Sequence, residues 1–124
     1  MPPHPLLLIT MGDVAGIGPE IIARAWPALL PLCRPVVVGD PGWLRRGLEL
    51  VGSRGTVRDV SQPRDADPTA DVLPCIRATD QDLSSVQPGH VSAAAGRAAY
   101  DFLCAAIDRT MQGVADGIVT APLH

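Results

Sequence analysis

Short apolar runs alternate along this chain with longer stretches in which apolar residues recur at helical spacing. The run at 6–10 is bounded by Pro5 and by glycines, which is typical of a buried strand. Pro19 and Glu20 then suit the first turn of a helix, in which Pro27 favours a kink. The apolar residues that recur there at helical spacing, and so are expected to face inward, are Ile21, Ile22, Ala25, Ala28 and Leu29. The same criteria predict strands at 6–10, 35–40, 56–60, 72–76 and 116–122, and helices at 19–30, 41–52 and 91–112.

Alternating strands and helices indicate an α/β fold, with a mostly parallel sheet between two layers of helices. We expect the strands within 6–10, 36–39 and 118–120 to be parallel members of one sheet, because helical crossovers join parallel strands. Residues 61–71 are polar and contain prolines, and the segment 61–83 is predicted as a surface loop with a short strand at 72–76. Ser92 is predicted to cap the longest helix. The inward face of that helix is predicted to include Ala94, Ala98, Leu103, Ala105 and Ala106.

The segment ITMGDVAGIGPEI, residues 9–21, places a glycine turn between the first strand and the first helix. Its spacing, G-x-x-x-G-x-G, matches neither the dinucleotide fingerprint nor the phosphate loop. A turn there still presents free N–H groups at the carboxyl end of a sheet, where α/β proteins bind ligands. Ligand contact and a plain tight corner both remain open, and Asp13 could orient a ligand hydroxyl or form an Asx-turn.

Composition removes several function classes. The formal net charge of −3 and the pI of about 5.4 leave no basic field for nucleic acid. All 10 basic residues are arginines, which excludes a phosphate-loop lysine and a Schiff base. The three cysteines are far apart, so they favour a reducing cytoplasm over a disulfide framework or a zinc site. The amino-terminal apolar run is too short for a signal peptide or a membrane span, so we expect a soluble protein.

Three blocks in order resemble the 4-hydroxythreonine-4-phosphate dehydrogenase family. The segment 9–21 is similar to its amino-terminal signature, usually TxGDPAGIGPE, and GHVSAAAGRAAYDFL (89–103) and DGIVTAPLH (116–124) are similar to its next two blocks. Val14 stands where a proline is usual, and His124 stands where many members continue with asparagine or histidine and then lysine.

The resemblance implies a homodimeric oxidoreductase of the isocitrate and isopropylmalate dehydrogenase fold class, acting in pyridoxal 5'-phosphate synthesis. It implies oxidation of 4-phosphohydroxy-L-threonine with NAD(P), loss of carbon dioxide, and a divalent metal such as Zn, Mg or Co as Lewis acid. Because parallel strands deliver their following loops to one edge, we predict a cofactor-binding set at the mouth of an interdomain cleft: Gly12, Asp13, Gly16, Gly18, Thr120 and Pro122.

Family members run to more than twice this length, and their three metal-binding histidines lie beyond the last residue of this chain. We therefore expect residues 1–124 to be the truncated amino-terminal part of a two-domain dehydrogenase, inactive alone, with no catalytic or metal-binding residue of its own. His4, His90 and His124 are predicted as surface histidines. Arg97 is expected to pair with Asp101 rather than to hold a phosphate.

Two other functions stay open at this stage. A paralogue acting on another phosphorylated hydroxy acid or on a cis-dihydrodiol would share the same blocks. A non-catalytic α/β binding or interaction domain is the alternative from another class. Trp43 and Tyr100 are predicted as core or interface residues rather than as a stacking platform.

Overall fold

The computed structural model describes residues 4–122, in which strands and helices alternate as predicted. A single turn of 3₁₀ helix, Pro63–Asp65, lies between the third and fourth strands. The other elements in chain order are β1 (Leu6–Thr10), α1 (Gly18–Leu29), β2 (Arg34–Gly39), α2 (Pro41–Leu50), β3 (Thr56–Asp59), β4 (Val72–Arg77), α3 (Ala93–Met111) and β5 (Gly117–Thr120).

The five strands form one sheet in the order β3-β4-β2-β1-β5, and every neighbouring pair is parallel. This arrangement confirms the predicted parallel pairing of the first, second and last strands. In β1, Leu8 is in register with Val36 of β2 on one side and with Ile118 of β5 on the other. At the other end of the β1–β5 pair, Leu6 N–H donates to Asp116 Oδ2 at 2.8 Å, and Asp116 N–H donates to Leu6 O at 2.8 Å.

Strand order places the helices on two faces of the sheet. The chain moves from β1 to β2 and β3 in one direction, and returns from β4 to β5 in the other. Because crossovers are right-handed, α1 and α2 lie on one face and α3 on the opposite face. The contacts agree, since α1 packs on α2 whereas α3 packs on β1, β2 and β5. The neighbouring strands β2 and β4 are followed by helices on opposite faces, and the edge of such a sheet is where ligands bind.

The residues that α1 buries differ in part from those that its apolar pattern predicts. In α1 the buried residues include Ile22, Ala23 and Trp26, whereas Ile21, predicted to face inward, is 42% exposed. Trp26 fixes this orientation, because its ring is buried and its Nε1 donates to Thr69 O at 2.8 Å. Pro27 does not end the helix, which continues to Leu29.

Helix α3 buries a stripe of small residues and one aromatic ring. The stripe is made by Ala95, Ala98, Ala99, Phe102 and Ala106. The predicted inward face is therefore correct at two positions, whereas Ala94, Leu103 and Ala105 are only half-buried. Phe102 is fully buried, so its volume determines which side of the helix turns to the sheet. As predicted, the helix is capped by Ser92, whose Oγ accepts the Ala95 N–H at 3.1 Å.

The segment 61–83 is more structured than a surface loop. Its 3₁₀ turn buries Pro63, Ala66 behind it is fully buried, and β4 continues to Arg77. Leu83 also joins the core. None of the helices within residues 4–122 has both the length and the hydropathy needed to cross a membrane.

Candidate functional site

The glycine turn follows β1 at the carboxyl edge of the sheet and is bonded to the segment that follows β5. Asp13 N–H donates to Pro122 O at 3.2 Å, and Ala121 N–H donates to Thr10 O at 2.9 Å. Thr120 is in register with Thr10, and both Thr120 and Pro122 are exposed. The structure thus brings the two predicted segments together at one edge.

The three glycines of this turn have different surroundings. Gly12 has a φ of +70°, and a Cβ there would overlap Pro122 O and lie 2.9 Å from Ala121 O. A Cβ on Gly18 would overlap Met11 O. Gly16 is exposed, and its Cβ would make only a 3.4 Å contact with Asp13 O. Close packing therefore explains Gly12 and Gly18, whereas Gly16 has space beside it.

Asp13 forms the Asx-turn that its position in the sequence allows. Its Oδ1 accepts the Ala15 N–H at 2.9 Å, and Gly16 N–H donates to Asp13 O at 3.0 Å. The side chain is half-buried at the surface of the turn. Asp13 therefore forms the Asx-turn, and its carboxylate still lies at the same edge of the sheet as Pro122.

The amino terminus of α1 opens at this edge without a side-chain cap. Ile17 occupies the N-cap position and provides no acceptor, so the Gly18 and Glu20 N–H groups have no capping side chain. The positive end of the helix dipole adds to these donors. Thr10, at the end of β1, is 1% exposed, and its Oγ1 has no hydrogen-bond partner among residues 4–122. The uncapped donors of α1 fit an anionic group of a ligand.

A third segment, between β4 and α3, also contacts the glycine turn. Gly89, with a φ of +78°, donates its N–H to Ala15 O at 2.7 Å. This bond places His90 beside the glycine turn, where the imidazole is exposed and Nδ1 lies 3.1 Å from Pro88 O. The prediction that His90 is a surface residue is correct, but its proximity to the turn was missed. Residues 15 and 89 are too far apart in sequence for any local pattern to show it.

Other predicted residues lie away from this edge or remain structural. His4 is exposed, and His124 lies outside the described residues. Arg97 Nε lies 3.4 Å from Asp101 Oδ1, which confirms the expected ion pair. Trp43 is half-buried against the core, but Tyr100 is 60% exposed, so a core position is wrong for Tyr100.

Within residues 4–122, no three His, Cys, Asp or Glu side chains are grouped closely enough to hold a metal ion. Cys33 and Cys75 are buried and Cys104 is half-buried, all three as free thiols. Burial raises the pKa of the Cys33 thiol, and burial with the nearby carboxylates of Asp40 and Asp59 raises the pKa of Cys75 further. Both thiols are protonated and unreactive at neutral pH.

Comparison with known proteins gives consistent matches. Residues 31–124 match the family model of the pyridoxal phosphate biosynthetic protein PdxA. The 4-hydroxythreonine-4-phosphate dehydrogenase of Desulforapulum autotrophicum is 35% identical over 97% of this chain and 36% of its own length. The D-threonate 4-phosphate dehydrogenase of Bordetella bronchiseptica is 38% identical over 97% of this chain and 35% of its own length.

Among solved structures, a 4-hydroxythreonine-4-phosphate dehydrogenase from Burkholderia phymatum superposes with a TM-score of 0.92 and 32% identity. The match covers 98% of this chain and 37% of that protein. This chain therefore spans little more than a third of the length of the relatives that it matches.

Proposed function

Because the chain belongs to the PdxA family of pyridoxal phosphate biosynthetic proteins, we propose that it forms the amino-terminal α/β part of an NAD(P)-dependent oxidoreductase. The proposed reaction is oxidation of 4-phosphohydroxy-L-threonine followed by decarboxylation, in pyridoxal 5'-phosphate biosynthesis. The observation that carries the proposal is the similarity to such dehydrogenases along 97% to 98% of this chain. The complete enzyme is proposed to be a cytoplasmic homodimer with a second domain across the cleft.

In this proposal the nicotinamide cofactor lies against the edge formed by the turn and the end of β5. The holding residues are Gly12, Asp13, Gly16, Gly18, Thr120 and Pro122. The uncapped donors at the start of α1 support an anionic part of the ligand at this edge. Bound NAD(P)⁺ supplies the hydride acceptor, and the protein supplies position and exclusion of water. Asp13 is held in its Asx-turn and orients a ligand hydroxyl from there.

The divalent metal does not fit residues 4–122, which contain no suitable group of ligands. We therefore assign it no step within this part of the chain, and propose that its ligands are residues outside this sequence. For the same reason we propose that the 124-residue chain alone is inactive, because hydride transfer needs both reactants held in a productive geometry.

A specific alternative to this proposal concerns the identity of the substrate. The Bordetella bronchiseptica relative is named for D-threonate 4-phosphate, which is another phosphorylated hydroxy acid. A cis-dihydrodiol substrate or a non-catalytic binding role would also be compatible with the fold alone. The phosphorylated substrates are favoured because both relatives are named for them.

A chimeric enzyme tests the proposal. The matching 36% of the Desulforapulum autotrophicum dehydrogenase is replaced with this chain, and NADH production is measured with each substrate and a series of divalent ions. We expect activity with 4-phosphohydroxy-L-threonine, and a change in turnover or cofactor KM in the Asp13→Ala chimera. The free 124-residue chain, assayed in parallel, should produce no NADH.

Each outcome bears on one claim. A folded chimera that is inactive with all substrates would refute the oxidoreductase proposal, and activity with D-threonate 4-phosphate alone would replace the substrate. Metal-dependent NADH production by the free chain would show that catalytic ligands lie within it. An Asp13→Ala chimera with normal kinetics and lowered stability would return Asp13 to a purely structural role.

A further inference from the structure

Helix α3 carries a second apolar stripe, on a flank that does not face the sheet. Its members recur at intervals of three or four residues, so they lie within about 80° of the helix circumference. This outer stripe consists of Gly96, Tyr100, Leu103, Ile107 and Met111. Tyr100, Ile107 and Met111 are 60%, 43% and 83% exposed, and Leu103 is half-buried. An apolar surface about four turns long is therefore left uncovered by residues 4–122.

Gly96 supports the interpretation of the outer stripe as a contact surface. A glycine inside a helix is less favourable than an alanine. Gly96 has no positive φ, and a Cβ added to it would have no other atom within 4 Å. Nothing among residues 4–122 therefore requires a glycine there. A closely packed neighbouring helix would require one, because the distance between two helix axes depends on the side chains at the contact.

The flank of α3 next to the outer stripe is charged and faces the segment that follows β4. Asp101 Oδ2 accepts the Thr79 hydroxyl at 2.7 Å, and Arg97 Nε lies 3.4 Å from Asp101 Oδ1. Asp108, about two turns after Asp101, is exposed on the same flank. Helix α3 covers β2, β1 and β5, with β4 beyond β2. The outer stripe is therefore turned away from β4, toward the β5 side of the sheet.

This charge pattern argues against a second copy of the chain as the partner that covers the outer stripe. In an antiparallel pair of α3 helices, the flank with Asp101 and Asp108 would face the same flank of the other copy, and like charges repel. In a parallel pair it would face Leu103, and carboxylates would be buried against apolar side chains. A partner with a basic residue opposite Asp108 avoids both costs.

The lengths of the relatives point to a different partner. This chain spans 36% of the Desulforapulum autotrophicum dehydrogenase and 37% of the Burkholderia phymatum structure, so nearly two thirds of each protein has no counterpart here. A contiguous apolar surface on a soluble domain is typical of a contact site. The outer stripe is thus a surface against which the unmatched part of such a protein can pack.

We propose that the outer stripe docks an amphipathic helix from the part of the dehydrogenase that lies outside this sequence. The docked helix presents apolar residues at intervals of three or four and a basic residue toward Asp108. The proposal rests on membership of the family and on the outer stripe itself, and it does not require the proposed reaction.

Methionine oxidation by hydrogen peroxide, followed by mass spectrometry, tests this docking. Met111 should oxidise rapidly in the free 124-residue chain, where it is exposed. In the folded Desulforapulum autotrophicum chimera it should oxidise at least about tenfold more slowly. Met11, which is fully buried, reports whether the fold is intact in both proteins. Leu32→Met is the matched control, because it places a methionine at a 69% exposed position on another surface, where oxidation should be equal in both proteins.

Ile107→Asp perturbs the outer stripe directly. It should lower the Tm of the chimera by roughly 5 °C more than the Tm of the free chain, because only the chimera buries this side chain fully. Asp108→Arg should also lower the Tm of the chimera alone, whereas Leu32→Asp should affect both proteins equally. The Bordetella bronchiseptica relative provides a second chimera in which to repeat each measurement.

The outcomes separate the possible partners. Equal oxidation of Met111 in the free chain and the chimera would overturn the proposal, and so would equal losses of Tm in the two Ile107→Asp proteins. Protection of Met111 that rises with the concentration of the free chain would also overturn it, and would assign the outer stripe to a second copy. A chimera that protects Met111 but has no activity would refute the proposed oxidoreductase alone.

Discussion

Gly12→Ala should destabilise the chain far more than Gly52→Ala, although both glycines have a φ of +70°. At Gly12 a new Cβ would overlap Pro122 O and approach Ala121 O, and both are backbone atoms that cannot rotate away. At Gly52 a new Cβ would have no other atom within 4 Å, so only the backbone conformation is unfavourable. The pair separates the cost of a positive φ from the cost of close packing.

The expected magnitudes follow from these surroundings. An L-residue in the left-handed region costs about 1–2 kcal/mol, and both variants carry this cost. The lower conformational entropy of the unfolded chain stabilises both variants by about 0.4–1 kcal/mol. Forced overlap with packed backbone adds about 1–3 kcal/mol, and only Gly12→Ala carries it. The difference between the two variants should therefore be about 1–3 kcal/mol.

Urea unfolding followed by far-UV circular dichroism measures this difference. With an m-value of about 1–3 kcal/mol/M, Gly12→Ala should have a midpoint lower than that of Gly52→Ala by roughly 1 M. Gly16→Ala serves as a second control, because Gly16 has neither a positive φ nor an overlapping neighbour. Equal midpoints for the Gly12 and Gly52 variants would refute the packing explanation. The glycine turn would then require a functional reason for Gly12.

Three further predictions concern single side chains. Asp13→Ala removes the acceptor of the Ala15 N–H and should lower the free energy of unfolding by about 0.5–1.5 kcal/mol in urea titrations. Asp13→Asn should keep the turn, and an equal loss of stability in the Ala and Asn variants would contradict the Asx-turn. Because the pKa of Cys75 is raised from its ordinary value of 9.0, the unfolded chain loses this proton first, so stability should fall above pH 9 by up to about 1.4 kcal/mol per pH unit. Cys75→Ala should flatten this dependence, and an unchanged slope would refute the assignment. Asp40→Ala should lower the free energy of unfolding by about 0.5–2 kcal/mol, measured by thermal unfolding, because the cap of α2 is lost. Asp40→Asn should lower it less, and equal Tm values for the two variants would argue against the cap.

The helices and strands were predictable because each is marked by local features. Apolar runs mark the central strands, and Pro41 and Ser92 stand at helix starts that the structure confirms. Strand order was not predictable, because β4 follows β3 in the sequence but lies between β2 and β3 in the sheet, and no local pattern marks that insertion. The inward faces of α1 and α3 were only partly correct, because Trp26 and Phe102 determine helix rotation through contacts with distant residues.

The candidate site was predictable to the same extent. Parallel strands bring their following loops to one edge, so the meeting of residues 12–18 with 120–122 followed from the fold class alone. The contact from Gly89 to Ala15 and the pairing of Arg77 with Asp40 did not. Both join segments that no periodicity relates, and only the completed sheet places them side by side.

Pairing of β1 with β5 has a consequence for the order in which this fold can be made on the ribosome. Leu6 and Asp116, which bond to each other at one end of this pair, are separated by 110 residues. At about 5–20 residues per second, the ribosome needs about 6–22 s to synthesise that interval. During this time β1 can pair with β2, but the edge of β1 that will receive β5 has no partner. The glycine turn therefore acquires its neighbours at 121–122 only after the other four strands have been synthesised, and mutations in β5 should act on a nascent chain whose other strands have had time to pair.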